Sequence, residues 1–169
     1  MNIATLKTTA GFLKSMIGKY TPIKVGKNHL EGIYNYRKYN DSLSSSGQPT
    51  EEQFRLIKDA GFDYVINLAP HSAENSIPDE HKTTAALDIE YTHIPVDWTN
   101  PTDADFEAFV AALERSGASK VWVHCAANMR VSAFLYRYRR DVQGMPDSEA
   151  RIVMDTVWEP FGVWKKFLA

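Results

Sequence analysis

The stretch Lys120-Val121-Trp122-Val123-His124-Cys125-Ala126-Ala127-Asn128-Met129-Arg130 constrains this chain more than any other part of it. A strand-like apolar run enters the stretch, and a helix-like run, Val131 to Arg140, leaves it. A strand feeding a tight loop that opens a helix turns several unpaired backbone N–H groups, and the positive end of the helix dipole, on one point in space. Such a point binds an anion. The stretch also holds the single cysteine of the protein. At a helix N-terminus beside a guanidinium the thiolate is favoured, and the thiolate is the nucleophilic form, so Cys125 is a candidate nucleophile. Arg130, on the first helical turn, offers the planar donor fork that matches two oxygens of a phosphate or similar oxyanion. The bland alternative is a small buried hydrophobe followed by a surface arginine. It accounts for the residues singly but not for their order.

The rest of the chain supplies a frame for that loop. Thr50 with Gln53 forms a capping box ahead of the apolar stripe Phe54, Leu56, Ile57 and Ala60, and Gly61 ends the helix. Tyr64 to Leu68 reads as a strand covered on both faces. Pro78 starts a helix that runs to about Leu87. Tyr91 to Val96 is a strand, and Thr102 caps a helix whose Phe106, Phe109, Val110 and Leu113 face inward until Gly117 stops it. Before them, Ile33 to Tyr36 is strand-like and Ser44 to Pro49 is a loop by composition. After Arg130 the chain is helical: Val131 to Val142, Ser148 to Trp158, and a short piece from Phe161 to Leu168. Strand and helix alternating at this spacing predict an α/β fold. Its centre is a mainly parallel sheet of four to five strands flanked by helices, with an extra N-terminal helix.

Residues 1–30 stand apart, with lysines at 7, 14, 19, 24 and 27 and no acidic residue before Glu31. Ile3, Leu6, Ala10, Leu13, Ile17 and Tyr20 recur at helical steps. The expected arrangement is a helix docking this apolar stripe on the domain or on a second subunit, which would make a homo-oligomer through the N-terminal helix. A membrane-surface helix and an acid-poor targeting segment are the competing readings. The Thr21-Pro22 step and Gly26 mark the hinge, giving an arm over 1–30 and a domain over 31–169.

A net charge of −2 and a pI near 6.2 give no electrostatic case for a nucleic-acid partner. One cysteine makes no internal disulfide, and a reducing cytoplasm is the simplest setting for a reactive thiol. No apolar run is long enough to span a membrane. His29, His71, His81 and His93 lack zinc-ligand spacing, so neither a metal nor another cofactor is expected.

In parallel sheets ligands gather beyond the carboxyl ends of the strands, where the loops after Leu68, Val96 and His124 should meet. Asp97 brings a carboxylate there. It suits either protonation of a leaving alcohol or an ordinary turn cap, and the residue type does not choose between them. His124 is expected to support the loop as a hydrogen-bonded strand end, and Asn67 either steadies a loop or caps its strand.

Taken together, SGQPTEEQF, GFDYVINLAP, YTHIPVDW, HCAANMRVSAF and VWEP resemble the DUF442 family over about Glu31 to Phe167. That family is the phosphatase-like domain also found fused to beta-lactamase-like hydrolases, within the superfamily of cysteine-dependent tyrosine and dual-specificity phosphatases. The resemblance implies that Cys125 forms a phosphocysteine, that Arg130 and the amides of Ala126, Ala127, Asn128 and Met129 hold the phosphoryl oxygens, that Asp97 is the general acid, and that Ser132 steadies the departing thiolate. The substrate would be a phosphorylated or other oxyanionic compound.

Four residues separate Cys125 from Arg130, where the superfamily signature has five, and the usual loop glycine is absent. Asn128 is among the residues that best tolerate a left-handed backbone. The shorter spacing resembles that of rhodanese-type sulfurtransferases, which carry a persulfide on the cysteine. A phosphatase is therefore the leading expectation, followed by a Cys125-persulfide sulfurtransferase and then a phosphate-binding module without turnover.

Overall fold

A computed structural model describes residues 2–20 and 29–169, with the side chains of 14–20 left aside. The proposed hinge at Thr21-Pro22 and Gly26, and the side chains of Ile17 and Tyr20, lie outside the described residues. Among the described residues, five strands form one sheet: β1 (Arg37–Lys38), β2 (Leu43–Ser46), β3 (Phe62–Asn67), β4 (Glu90–His93) and β5 (Lys120–His124), in the order β1-β2-β5-β3-β4. Only β1 runs antiparallel to its neighbour. The helices are α1 (Ile3–Tyr20), α2 (Glu51–Asp59), α3 (Glu80–Ala85), α4 (Asp103–Arg115), α5 (Met129–Arg137), α6 (Asp147–Ala150), α7 (Ile152–Val157) and α8 (Val163–Phe167). A π-helical turn, Tyr138–Val142, extends α5.

Alternation along β5 divides the core between the two faces of the sheet. Val121, Val123 and Cys125 join a cluster with Phe109, Phe134, Trp158 and Trp164. Trp122 points the other way, into Phe54, Ile57, Phe62 and Ile89. Both predicted capping boxes are present, Thr50 with Gln53 and Thr102 with Asp105. Gly61 and Gly117 end their helices with positive φ.

The register aligns the carboxyl ends of four strands. His124 of β5 pairs with Ser46 of β2 and Asn67 of β3, and Asn67 pairs with His93 of β4. The loops that follow therefore open at one level of the sheet.

Two expectations are corrected. The strand expected over Ile33 to Tyr36 does not form; the strand lies later, in the serine-rich segment that composition marks as a loop. Leu43–Ser46 pairs in parallel with β5, and Ser44, Ser45 and Ser46 are buried. Their hydroxyls are satisfied locally: Ser46 Oγ donates to the Gly47 carbonyl and accepts from Trp122 Nε1, and Ser45 Oγ accepts from Asn128 Nδ2. Tertiary hydrogen bonds thus override the turn preference of serine.

The second correction concerns only the domain as partner of the α1 stripe: α1 docks on the domain by its polar side, and the alternative of a second subunit is not touched by this. Thr5 and Thr8 are buried; Thr8 Oγ1 donates to the Val157 carbonyl, and the Glu159 amide donates to Thr5 Oγ1 at 2.8 Å. The apolar stripe faces outward, with Ile3, Leu6 and Leu13 exposed by 73%, 57% and 56%. Two long-range hydrogen bonds to the α7–α8 connection fix this rotation of the helix, and a helix so fixed cannot also turn its opposite face inward.

Candidate active site

Cys125 is the residue after β5, and α5 begins four residues later at Met129. Between them Asn128 takes the left-handed conformation, φ 66° and ψ 3°, doing the work of the absent glycine. Its side chain explains why it is asparagine: Nδ2 donates to the Asn35 carbonyl at 2.8 Å and to Ser45 Oγ at 2.9 Å. The first intrahelical bond of α5 runs from the Ser132 amide to the Asn128 carbonyl. The amides of Met129, Arg130 and Val131 precede it and have no acceptor within the helix.

The loop carbonyls are tied outward. Ala126 O accepts from the Gln48 amide at 3.3 Å and from Asn75 Nδ2 at 2.9 Å, and Ala127 O accepts from Asn35 Nδ2 at 2.9 Å. In a trans peptide the N–H points opposite to the C=O, so binding the Ala126 carbonyl on one side turns the Ala127 amide to the other. Gly47 pairs with Ala127 across a β-bridge. A Cβ at Gly47 would lie 2.5 Å from the Tyr34 ring and 3.0 Å from Ala126 O, so only glycine admits this approach.

Beneath the loop lies a buried polar cluster. His124 Nε2 is 3.0 Å from Glu80 Oε1, and the other Glu80 oxygen accepts from Gln48 Nε2. Asn67 Nδ2 donates to Glu80 Oε1 at 2.9 Å and to the Tyr91 hydroxyl at 3.1 Å, while its Oδ1 accepts from the Ala69 amide at 2.8 Å. Asn67 therefore both caps its strand and steadies the cluster. Burial pushes the Glu80 carboxyl up, but the charge and hydrogen bond of His124, with the hydrogen bonds from Gln48 and Tyr91, outweigh it and hold the group at about 2. His124 Nδ1 is buried without a partner.

Arg130 lies with its guanidinium 5.4 Å from the Trp98 ring, and its Nε is buried without a hydrogen-bond partner. Trp98 packs on Trp158 and Trp164, and Trp164 Nε1 donates to the Trp98 carbonyl. The structure thus brings the loop carrying Asp97 against the arginine of the cysteine loop. Asp97 itself is exposed and makes a turn: Oδ1 accepts from the Thr99 amide at 2.8 Å and from Thr99 Oγ1 at 2.9 Å. The Thr99 amide, then the Thr99 hydroxyl, hold its carboxyl below the usual carboxylate range, and the Arg130 charge adds to them.

Cys125 has no exposed surface and packs in the larger core cluster. Ser132 is buried, with Oγ donating to the Met129 carbonyl at 3.0 Å, and in this arrangement its proton is committed there. Sequence patterning does not mark Glu80, Gln48, Asn35 or Asn75 as site residues. The Gly47-Gln48 dipeptide, placed before a capping box, was the one local signal that the segment meets something closely.

The chain is similar to several known proteins, among them phosphatases. A family model described as DSP-PTPase phosphatase fused to NAD+ kinase matches residues 14–159. A putative phosphatase (DUF442) of Shewanella putrefaciens CN-32 superposes with a TM-score of 0.74 at 39% identity, covering 82% of this chain and 91% of that one. TpbA of P. aeruginosa shares the fold, with a TM-score of 0.59 at 19% identity over 72% of each chain. The beta-lactamase hydrolase-like protein of Xylella fastidiosa (strain Temecula1 / ATCC 700964) is 32% identical over 108 residues, 62% of this chain. The chain spans about a quarter of the length of that relative, since the match covers 25% of it.

Proposed function

The chain belongs to the family described as DSP-PTPase phosphatase fused to NAD+ kinase, as a DUF442 member of the cysteine-dependent phosphatase superfamily, and on that premise we propose that it hydrolyses a phosphate monoester in the manner of the tyrosine and dual-specificity phosphatases. The Cys125 thiolate attacks phosphorus, forming the S–P bond as the P–O bond to the leaving alcohol breaks. Asp97 gives its proton to the departing oxygen. Water then attacks the phosphocysteine, Asp97 takes a proton from it, and the S–P bond breaks to return thiolate and inorganic phosphate. Arg130 and the amides of Ala127, Met129 and Arg130 hold the equatorial oxygens, where charge is greatest in the transition state.

The observation that carries this reading is the placement of Arg130. Its guanidinium rests on Trp98, one residue after Asp97, and its Nε is buried without an acceptor, so a dianion at the loop would meet an unsatisfied donor. A dianion there also offsets the Arg130 charge felt by Asp97, which raises that carboxyl toward the protonated form the first step needs. The sulfurtransferase reading draws no support from the relatives. A reducing compartment would keep the lone thiol free for the reaction.

Release of p-nitrophenol from p-nitrophenyl phosphate, abolished by Cys125→Ser while phosphate binding persists, is the expected result. Thiocyanate formed from thiosulfate and cyanide without phosphate release would assign a persulfide to Cys125 instead. Saturable phosphate binding with no turnover of either substrate would leave a binding module.

A further inference from the structure

The outward face of α1 is apolar and uncovered among the described residues. Ile3, Leu6 and Leu13 are exposed by 73%, 57% and 56%, and Ala10, between them in the helical register, is exposed as well. The rotation is not free to change, because Thr5 and Thr8 on the opposite face are hydrogen-bonded to the chain around Val157 and Glu159.

The charges around this patch choose its occupant. Lys7 is exposed on α1, and the sequence of that helix adds Lys14 and Lys19 with no acidic residue. Glu159 is the acidic exception, exposed beside Thr5. A second copy laid face to face would set two helices of like charge, neither with an acidic residue, against each other. An anionic phospholipid surface attracts each of them and takes the apolar side chains into the headgroup–acyl boundary.

We propose that the outward face of α1 is a docking surface for an anionic phospholipid membrane. The helix lies on the membrane and does not cross it; among the described residues no helix is long and apolar enough to do so. The inference does not rest on the chemistry of Cys125.

The test is flotation of the full chain with phosphatidylcholine vesicles and with vesicles about one-third phosphatidylglycerol. The bound fraction should be about tenfold higher on the anionic vesicles, and raising the salt to about 0.5 M should remove most of that difference. Leu6→Asp should lower binding about tenfold, and Lys7→Glu several-fold, with circular dichroism and turnover of a soluble aryl phosphate unchanged. Absent binding, equal binding to both vesicle types, or binding that Leu6→Asp and Lys7→Glu leave intact overturns the proposal. A concentration-dependent dimer dissolved by Leu6→Asp, without vesicle binding, gives the face to a second copy and overturns it equally.

Discussion

His124 Nε2 and Glu80 Oε1 lie 3.0 Å apart with both side chains out of contact with solvent, 0% and 2% exposed, directly before the cysteine. The carboxylate binds Nε2 and so sets the orientation of the ring that ends β5. It is the one acidic side chain in the cluster beneath the loop, joined there by Gln48, Asn67 and Tyr91.

Glu80→Gln keeps the shape of that cluster and removes its charge. We expect a loss of about 3 kcal/mol in urea unfolding, as for a broken buried ion pair. Turnover of p-nitrophenyl phosphate should fall about tenfold, mainly in kcat, because the loop geometry and not substrate contact is disturbed. An unchanged kcat with a raised KM would instead place Glu80 in substrate binding.

The same carboxyl dictates the response to acid. Its pKa is about 2 in the folded protein against an ordinary 4.5, so between those values the unfolded chain binds more protons than the folded one. This part of the stability, about 3 kcal/mol, is complete above pH 4.5 and is lost as the pH falls toward 2. Chemical unfolding followed across that range should show the decline in the wild type and a flatter profile in Glu80→Gln.

Asp97 is held low by Thr99, and its role as acid is testable through that contact. Thr99→Val deletes the hydroxyl bond and leaves the amide bond, so the carboxyl should rise and the alkaline limb of kcat should move to higher pH. Asp97→Asn should slow alkyl phosphates about a hundredfold and activated aryl phosphates much less, since a poorer leaving group depends more on its proton. Equal slowing of both would remove Asp97 from proton transfer.

Asn128 combines a left-handed backbone with two side-chain hydrogen bonds. Asn128→Gly keeps the backbone and loses the bonds; Asn128→Ala loses both. Alanine should therefore be about 1 kcal/mol less stable than glycine at this position, by thermal or urea unfolding. Both variants should lose phosphatase activity relative to the wild type.

What the sequence determined by itself was local. The β5–loop–α5 order around Cys125, the capping boxes at Thr50 and Thr102, the helix stop at Gly117 and the left-handed Asn128 each follow from residues within a few positions of one another, where backbone sterics and capping act. Tertiary structure alone decided the rest. Glu80 meets His124 across 44 residues, Asn75 meets Ala126 across 51 and Asn35 meets Ala127 across 92, and such pairings leave no periodicity to read. The serines of β2 became a strand because β5, Trp122 and Asn128 supplied partners for their backbone and hydroxyls. On α1 the apolar period located a helix, but the side that docks on the domain is the polar one. The rotation was settled by two threonine hydrogen bonds to the distant α7–α8 connection, because a buried backbone group left unpaired costs more than an apolar side chain left in water.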